Sequence, residues 1–92
     1  MLKIQRTANG AVTFIVSGRL EAGNLHELSA LLAAEPTGRP LVLDLKNLLL
    51  VDGETVRFLR MCERDGIVLR HCPPYIRVWI ARDEETVTRF DE

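Results

Sequence analysis

The stretch LVLDLKNLLLVDGET, residues 41–55, decides the fold. Its first five residues, 41–45, are nearly all apolar instead of alternating, which is typical of a strand covered on both faces in the middle of a parallel sheet. A second apolar run follows and leads to Asp52, whose side chain can cap a helix that we expect to continue to about Asp65. Gly66 is placed to end that helix in the left-handed conformation.

Two further strands and a helix are predicted before this stretch. Residues 2–7 and 11–18 are strand-like, and the Asn-Gly pair at 9–10 supplies the two positive φ angles of a tight hairpin turn. A helix is predicted directly after Asn24, which we expect to cap it, with Glu27 reaching back to complete a variant of the capping box. The chain therefore opens with an antiparallel pair and then crosses over through a helix.

The C-terminal part predicts one more strand and one more helix. Residues 67–69 read as a short strand, and Pro74 fits the first position of a helix, where no amide donor is needed. Tyr75 and Trp79 are four residues apart, so we expect them to help pack this helix on the sheet. Residues 83–92 are polar and remain open between an extension of the helix and a flexible tail.

The order of these elements defines the fold class. Strand, strand, helix, strand, helix, strand, helix predicts an α/β fold with a mixed sheet of about four strands, in which an N-terminal antiparallel hairpin is followed by parallel strands. Three main helices cross over the sheet. Because 92 residues leave room for one hydrophobic core, we expect a single domain over 1–92.

Composition excludes several classes of function. Twelve Lys and Arg against thirteen Asp and Glu give a net charge of -1, and the basic residues are scattered, so nucleic acid is not an expected partner. The sequence has neither a signal-peptide pattern at its start nor about 18 consecutive apolar residues, so we expect no direct membrane insertion. Cys62 and Cys72 are too few for a disulfide framework and suit a reducing cytoplasm, which we expect as the location.

Asp52 and Glu54 are the most conspicuous candidates for chemistry. Two carboxylates at a helix start could serve as a general acid and base or as half of a metal site. The helix dipole alone favours acids there, and no His, Lys or Cys lies at a spacing that would complete a catalytic set. We therefore expect no enzymatic activity, no metal and no cofactor, and interpret the two acids as an acidic contact surface.

The pattern of strands, turns and acids resembles the STAS domain, the fold of bacterial anti-sigma-factor antagonists and of cytoplasmic tails of anion transporters. The resemblance covers nearly the whole chain and is carried by three segments: Gly18-Arg19-Leu20-Glu21; Leu43-Asp44-Leu45 with Leu48, Val51 and Asp52; and Leu69 through Ile80. The middle segment is the most specific, since both residue types and spacing agree with the approach to the family's phosphorylation loop.

One departure from the family concerns its regulatory switch. In phosphorylatable members the loop Asp is followed by Ser, which a partner kinase that also sequesters the sigma factor phosphorylates; here the matching position is Gly53, followed by Glu54 and Thr55. Glycine has no hydroxyl, so this switch is chemically excluded at Gly53. Thr55 lies two residues later and is expected to cap or pack the helix instead of accepting phosphate.

A second departure concerns the edge of the sheet. Many members carry another strand and helix after the segment that ends here near Arg82. Without them, the strand at 67–70 becomes an exposed edge with unpaired backbone groups, which is a known route to association. We expect a homodimer or a partner at this edge unless residues 86–90 cover it.

The resemblance implies a non-catalytic protein-interaction module that regulates transcription by binding an anti-sigma factor of the histidine-kinase-like ATPase class, without Ser phosphorylation. The alternative is an accessory subunit that docks on the cytoplasmic ATPase subunit of a membrane transporter of the ABC type. The contact surface expected from the family's loop and helix start consists of Glu21, Asp52, Gly53, Glu54 and Arg57.

Overall fold

The computed structural model describes residues 2–36 and 38–90, with 83–90 described by their backbone alone. Along the chain the elements are β1 (Leu2–Asn9), β2 (Ala11–Leu20), α1 (Leu25–Ala33), β3 (Leu41–Asp44), β4 (Leu48–Val51), α2 (Gly53–Arg64), β5 (Val68–Arg70) and α3 (Pro74–Phe90). The predicted α/β class, the hairpin followed by parallel strands and the three helices are confirmed. The sheet has five strands, one more than the sequence pattern suggested.

β2 is the strand on which the sheet is assembled. Along one side it pairs antiparallel with the whole of β1. Along the other side it pairs parallel with β3 through residues 12–15 and with β4 through residues 18–20. β5 then pairs parallel with β3, so that β3 is an internal strand, as its apolar sequence predicted, and β5 lies at the edge.

The fifth strand arises from a break in the parallel ladder. β3 and β4 both pair with β2, and residues 45–47 between them are outside this pairing. The pairing resumes where the backbone N–H of Gly18 donates to the carbonyl of Asn47 at 3.1 Å. The side chain of Asp44 holds this turn, since its Oδ1 accepts from the N–H of Lys46 at 3.1 Å. The second apolar run, whose sequence gave no clear strand signal, therefore forms the strand β4.

One face of the sheet carries the hydrophobic core. Successive side chains of a strand alternate between the faces, and residues of all three helices join one cluster with every second residue of β2 from Val12 to Val16, so the helices cover one side of the sheet. The strand residues of this core are Val12, Phe14, Val16, Leu20, Leu43, Leu48, Val51 and Leu69, the turn after β3 adds Leu45, and the helices add Leu28, Val56, Leu59, Cys62, Ile76 and Ile80. The opposite face carries Thr13, Ile15 and Val68, of which Val68 is 52% exposed.

Both α1 and α2 begin where the sequence predicts, α1 at Leu25 directly after Asn24, but the two differ in how the first turn is capped. Asp52 caps α2, and Gly66 follows the helix with φ of 92°, both as predicted. The prediction that Asn24 caps α1 is wrong. Its side chain turns back, where Oδ1 accepts from the N–H of Glu21 at 2.8 Å and Nδ2 donates to the carbonyl of Arg19 at 3.0 Å. Asn24 thereby closes a short 3-10 turn, residues 22–24, ahead of α1.

α3 begins at Pro74 as predicted, but it presents a different side to the sheet. Ile76 and Ile80 are buried, whereas Tyr75 is 49% and Trp79 38% exposed, so the expectation that the two aromatic rings pack on the sheet is wrong. One residue corresponds to about 100° of rotation around a helix, so burying the two isoleucines turns the aromatic side chains towards solvent.

The C-terminal segment and the edge strand bear on association. α3 continues to Phe90 and so includes most of the segment left open between helix and tail, while residues 91 and 92 lie outside the described residues. Residues 86–90 are helical and add no strand to β5. In the described part of the chain β5 pairs with β3 alone, and the homodimer at this edge remains a prediction.

Two valines of equal size test which face of the sheet carries the stability. We expect Val16→Ala, in the core, to lower the free energy of unfolding by about 2 kcal/mol, because two buried methyl groups are lost and a cavity is left. Val68→Ala, on the exposed face, should change it by less than about 0.5 kcal/mol. Urea denaturation measures both, and equal losses would contradict the assignment of the core.

Candidate functional site

Asp52 connects the two segments in which the site residues were predicted. It lies between β4 and α2 with an extended backbone, φ −112° and ψ −179°. Its Oδ1 accepts from the N–H of Thr55 at 2.9 Å, which caps the helix. Its Oδ2 accepts from the N–H of Ala22 at 2.9 Å, which belongs to the turn after β2. One carboxylate therefore fixes the start of α2 against the end of β2.

The same donors determine the charge of Asp52. The N–H of Ala22, followed by the N–H and hydroxyl of Thr55, lowers the pKa of the Asp52 carboxyl below its ordinary value, and partial burial opposes this shift. Hydrogen bonds to the charged form stabilise that form. Asp52 is consequently a carboxylate at neutral pH and a fixed acceptor, which makes it unsuited to donating a proton in catalysis.

Thr55 is fully buried beneath Asp52. Its Oγ1 lies 2.8 Å from the carbonyl oxygen of Leu20 and 2.7 Å from Oδ1 of Asp52. Because both neighbours are acceptors, the hydroxyl proton is shared between them. The arrangement ties α2 to the last residue of β2 and leaves no accessible oxygen on which a kinase could place a phosphoryl group.

Gly53 occupies the first position of α2 and has room beside it. Its φ lies outside the left-handed region, and a Cβ added there would meet no atom within 4 Å. The backbone at this point therefore does not require glycine. The missing hydroxyl is a property of the sequence, since the fold would accept serine.

The five residues predicted as a contact surface meet around Asp52. Glu21 immediately precedes Ala22 and is exposed, Glu54 is exposed in the first turn of α2, and Arg57 is exposed one turn later. The Asp52 to Ala22 hydrogen bond brings Glu21 to the same end of the sheet as the helix start. Two acids and one base are thus presented to solvent next to a rigid helix end.

The sequence pattern did not indicate that two leucines next to this surface are exposed. Leu49 and Leu50 belong to the second apolar run, and on β4 they are 75% and 45% exposed. The hydroxyl of the exposed Tyr75 reaches this strand and donates to the carbonyl of Leu49 at 3.2 Å. The only sequence signal was the lack of alternation in the run, which did not distinguish exposed from buried leucines. The docking face is hereafter defined as Glu21, Asp52, Gly53, Glu54 and Arg57.

The remaining titratable groups do not join the docking face. His71 contacts Asp44 and not Asp52. Burial raises the pKa of the Cys62 thiol to about 11 and also raises the pKa of Cys72, so both thiols are protonated at neutral pH and poorly nucleophilic. Within residues 2–36 and 38–82, no group of three or more His, Cys, Asp or Glu is arranged to hold a metal ion.

Comparison with known proteins adds no assignment. No protein-family model matches the chain, and no curated protein matches its sequence. Over the part of the chain that the structure describes, no helix is both long enough and apolar enough to cross a membrane.

The lowered pKa of Asp52 predicts a pH-dependent contribution to stability. We expect Asp52→Asn to lower the free energy of unfolding by about 1–2 kcal/mol at about pH 7, because the charged acceptor of three donors is lost. A group with a depressed folded-state pKa stabilises above its unfolded value of about 3.9 and loses that effect as pH falls through the folded value. The difference in the free energy of unfolding between wild type and Asp52→Asn should therefore become smaller in acid, as measured by urea denaturation across pH.

Glu54→Gln is the control for this experiment, since it removes one carboxylate from the same helical turn without breaking the Asp52 hydrogen bonds. We expect it to change stability by less than about 0.5 kcal/mol. If the loss of unfolding free energy in Asp52→Asn stays the same in acid, the charge of Asp52 is not the reason for that loss.

A pair of glycine variants tests whether Gly53 is structurally required. A Cβ at either Gly53 or Gly66 meets nothing within 4 Å, but Gly66 has φ of 92°. We expect Gly53→Ser to leave stability within about 0.5 kcal/mol of wild type or slightly above it. Gly66→Ser should cost about 1 kcal/mol, because L residues are strained in the left-handed region. Thermal and urea unfolding give both values, and a large loss for Gly53→Ser would contradict the free space described above.

Proposed function

We propose that this protein is a non-catalytic, cytoplasmic protein-interaction module that regulates transcription by binding an anti-sigma factor of the histidine-kinase-like ATPase class. The docking face makes the contact, and no Ser phosphorylation controls it. The observation that carries the proposal is the Asp52 carboxylate, which holds the turn after β2 and the start of α2 together and so presents Glu21 and Glu54 on one rigid surface.

The chemistry of the docking face supports binding more than turnover. Asp52 is committed to three hydrogen bonds and Thr55 is buried, so neither side chain is free to attack a substrate or to transfer a proton to it. Protein interfaces combine an apolar centre with charged surroundings that set register and speed encounter. The docking face supplies charges of both signs through Glu54 and Arg57, and the strand that leads into Asp52 carries the exposed Leu49 and Leu50.

The absence of a hydroxyl defines the kind of regulator proposed. A phosphoryl group at the first turn of α2 would add about 1.5 to 2 negative charges next to Glu54 and would alter any interface formed there. Gly53 cannot receive it and Thr55 is enclosed, so the docking face keeps one charge state. The module therefore binds continuously and is controlled by its abundance or by its partner.

Affinity capture from the native host tests the proposal with charge reversals on the docking face. Tagged wild-type protein should recover a histidine-kinase-like ATPase. With the purified ATPase, Glu54→Lys and Arg57→Glu should each weaken binding about tenfold, equivalent to about 1.4 kcal/mol, because complementary charges become repulsive. Titration calorimetry measures the affinities.

Asp65→Lys is the matched control, since Asp65 is an exposed acid at the opposite end of α2. It should leave the affinity unchanged. Recovery of a transporter ATPase subunit in place of the kinase-type ATPase would favour the accessory-subunit alternative. Binding that is insensitive to both reversals on the docking face would contradict the proposal, whichever partner is recovered.

A further inference from the structure

A second cluster of functional side chains lies at the carboxyl ends of β3 and β5. Asp44 ends β3, and its side chain is only 8% exposed. A buried carboxylate needs hydrogen-bond partners to compensate for the lost water. Asp44 has the N–H of Lys46 at 3.1 Å and Nδ1 of His71, which lies 3.3 Å from Oδ1 and 3.2 Å from Oδ2.

His71 is held in place by its backbone as well as by Asp44. It follows β5 with φ of 54°, in the left-handed region that L residues rarely adopt. Backbone strain of this kind costs energy and is concentrated at functional sites. The conformation brings the imidazole back over the end of the neighbouring strand, to which β5 is joined by the Leu45 N–H bond to the Arg70 carbonyl at 2.9 Å.

The contact with Asp44 determines which ring nitrogen is free. A carboxylate accepts hydrogen bonds, so the Nδ1 atom that faces it carries a proton. In the neutral ring the lone pair is then on Nε2. The side chain of His71 is 56% exposed while its Nδ1 edge faces a buried group, so the Nε2 edge is directed to solvent.

We propose that His71 is a phosphoryl-acceptor site, modified at Nε2 by a phosphorylated donor such as a nucleoside triphosphate held by a kinase. The Nε2 lone pair forms the bond to the γ-phosphorus, the bond from phosphorus to the bridging oxygen breaks, and its electron pair leaves with the nucleoside diphosphate. Nδ1 keeps its proton, and the positive charge left on the ring is offset by Asp44. No further reactant is required.

Two features favour an acceptor over a general base of an enzyme. The imidazole stands on the exposed surface, where the active site of another protein can reach it. Two exposed basic residues are close to it along the chain, Arg70 directly before it and Lys46 two residues after Asp44. Lys and Arg stabilise a phosphoryl dianion by charge-assisted hydrogen bonds. This inference does not rest on the docking face, and the two can fail separately.

The test uses the complete chain and potassium phosphoramidate, a small phosphoryl donor that needs no kinase. In this reaction the phosphoryl group is transferred from the nitrogen of the donor to the ring nitrogen, and ammonia is the leaving group. We expect one phosphoryl group on Nε2 of His71. The intact mass gives the number of phosphoryl groups, and nitrogen–phosphorus coupling in NMR identifies the nitrogen that carries the group. His26, exposed in the first turn of α1, is the internal control and should react more slowly and at both nitrogens.

Variants assign the effect to the Asp44 contact. His71→Gln should abolish the fast modification, and His26→Gln should leave it unchanged. Asp44→Asn should slow it about tenfold, the scale found where a carboxylate partner of a metal-ligating histidine is removed. If Asp44→Asn fails to fold, nitrogen-15 NMR of the neutral His71 imidazole in the wild-type protein shows which ring nitrogen carries the proton. The proposal requires the proton on Nδ1. A proton on Nε2, phosphorylation on Nδ1, or equal rates at both histidines would overturn it.

Discussion

The structure depends on the hydrogen bonding of a single strand. β2 pairs with three strands at once, antiparallel with β1 and parallel with β3 and then β4. Its alternating residues Val12, Phe14 and Val16 form the centre of the core on which the helices pack. Both candidate sites are extensions of this arrangement. One lies where β2 and β4 end together, and the other lies where β3 ends beside β5.

The two sites use a carboxylate in opposite ways. Asp52 accepts only from groups of its own fold neighbourhood, the N–H of Ala22 and the N–H and hydroxyl of Thr55, and so serves to hold exposed residues in position. Asp44 is more deeply buried and faces Nδ1 of an exposed imidazole, that of His71. The first carboxylate holds backbone segments together, and the second orients a side chain at the surface.

Local patterns in the sequence predicted the fold well where the chemistry is local. The cap at Asp52, the glycine after α2 and the proline at the start of α3 depend on a few neighbouring residues, and the structure has all three. The predicted hairpin is also present, but the prediction of two positive φ angles at 9–10 is wrong, because Asn9 still pairs with Ala11 and Gly10 alone has a positive φ, of 83°. Two other predictions failed for different reasons. Asn24 had a competing local choice, since its side chain bonds to the backbone of Arg19 and Glu21 instead of the helix. The orientation of α3 depends on tertiary packing, which buries its isoleucines and leaves its aromatic rings exposed.

The candidate sites also differ in how far they depend on local sequence and how far on tertiary structure. The acidic residues around Asp52 could be named from sequence, because a helix start favours acids. The exposure of Leu49 and the contact between His71 and Asp44 could not, because they follow from β4 joining β2 and from residues 45–47 leaving the ladder. Those three residues also set the spacing between the two sites. Leu45 is buried and donates its N–H to the carbonyl of Arg70, while the carbonyl of Asn47 accepts from Gly18, so one short segment is anchored to the strand before His71 and to the strand that leads to Glu21.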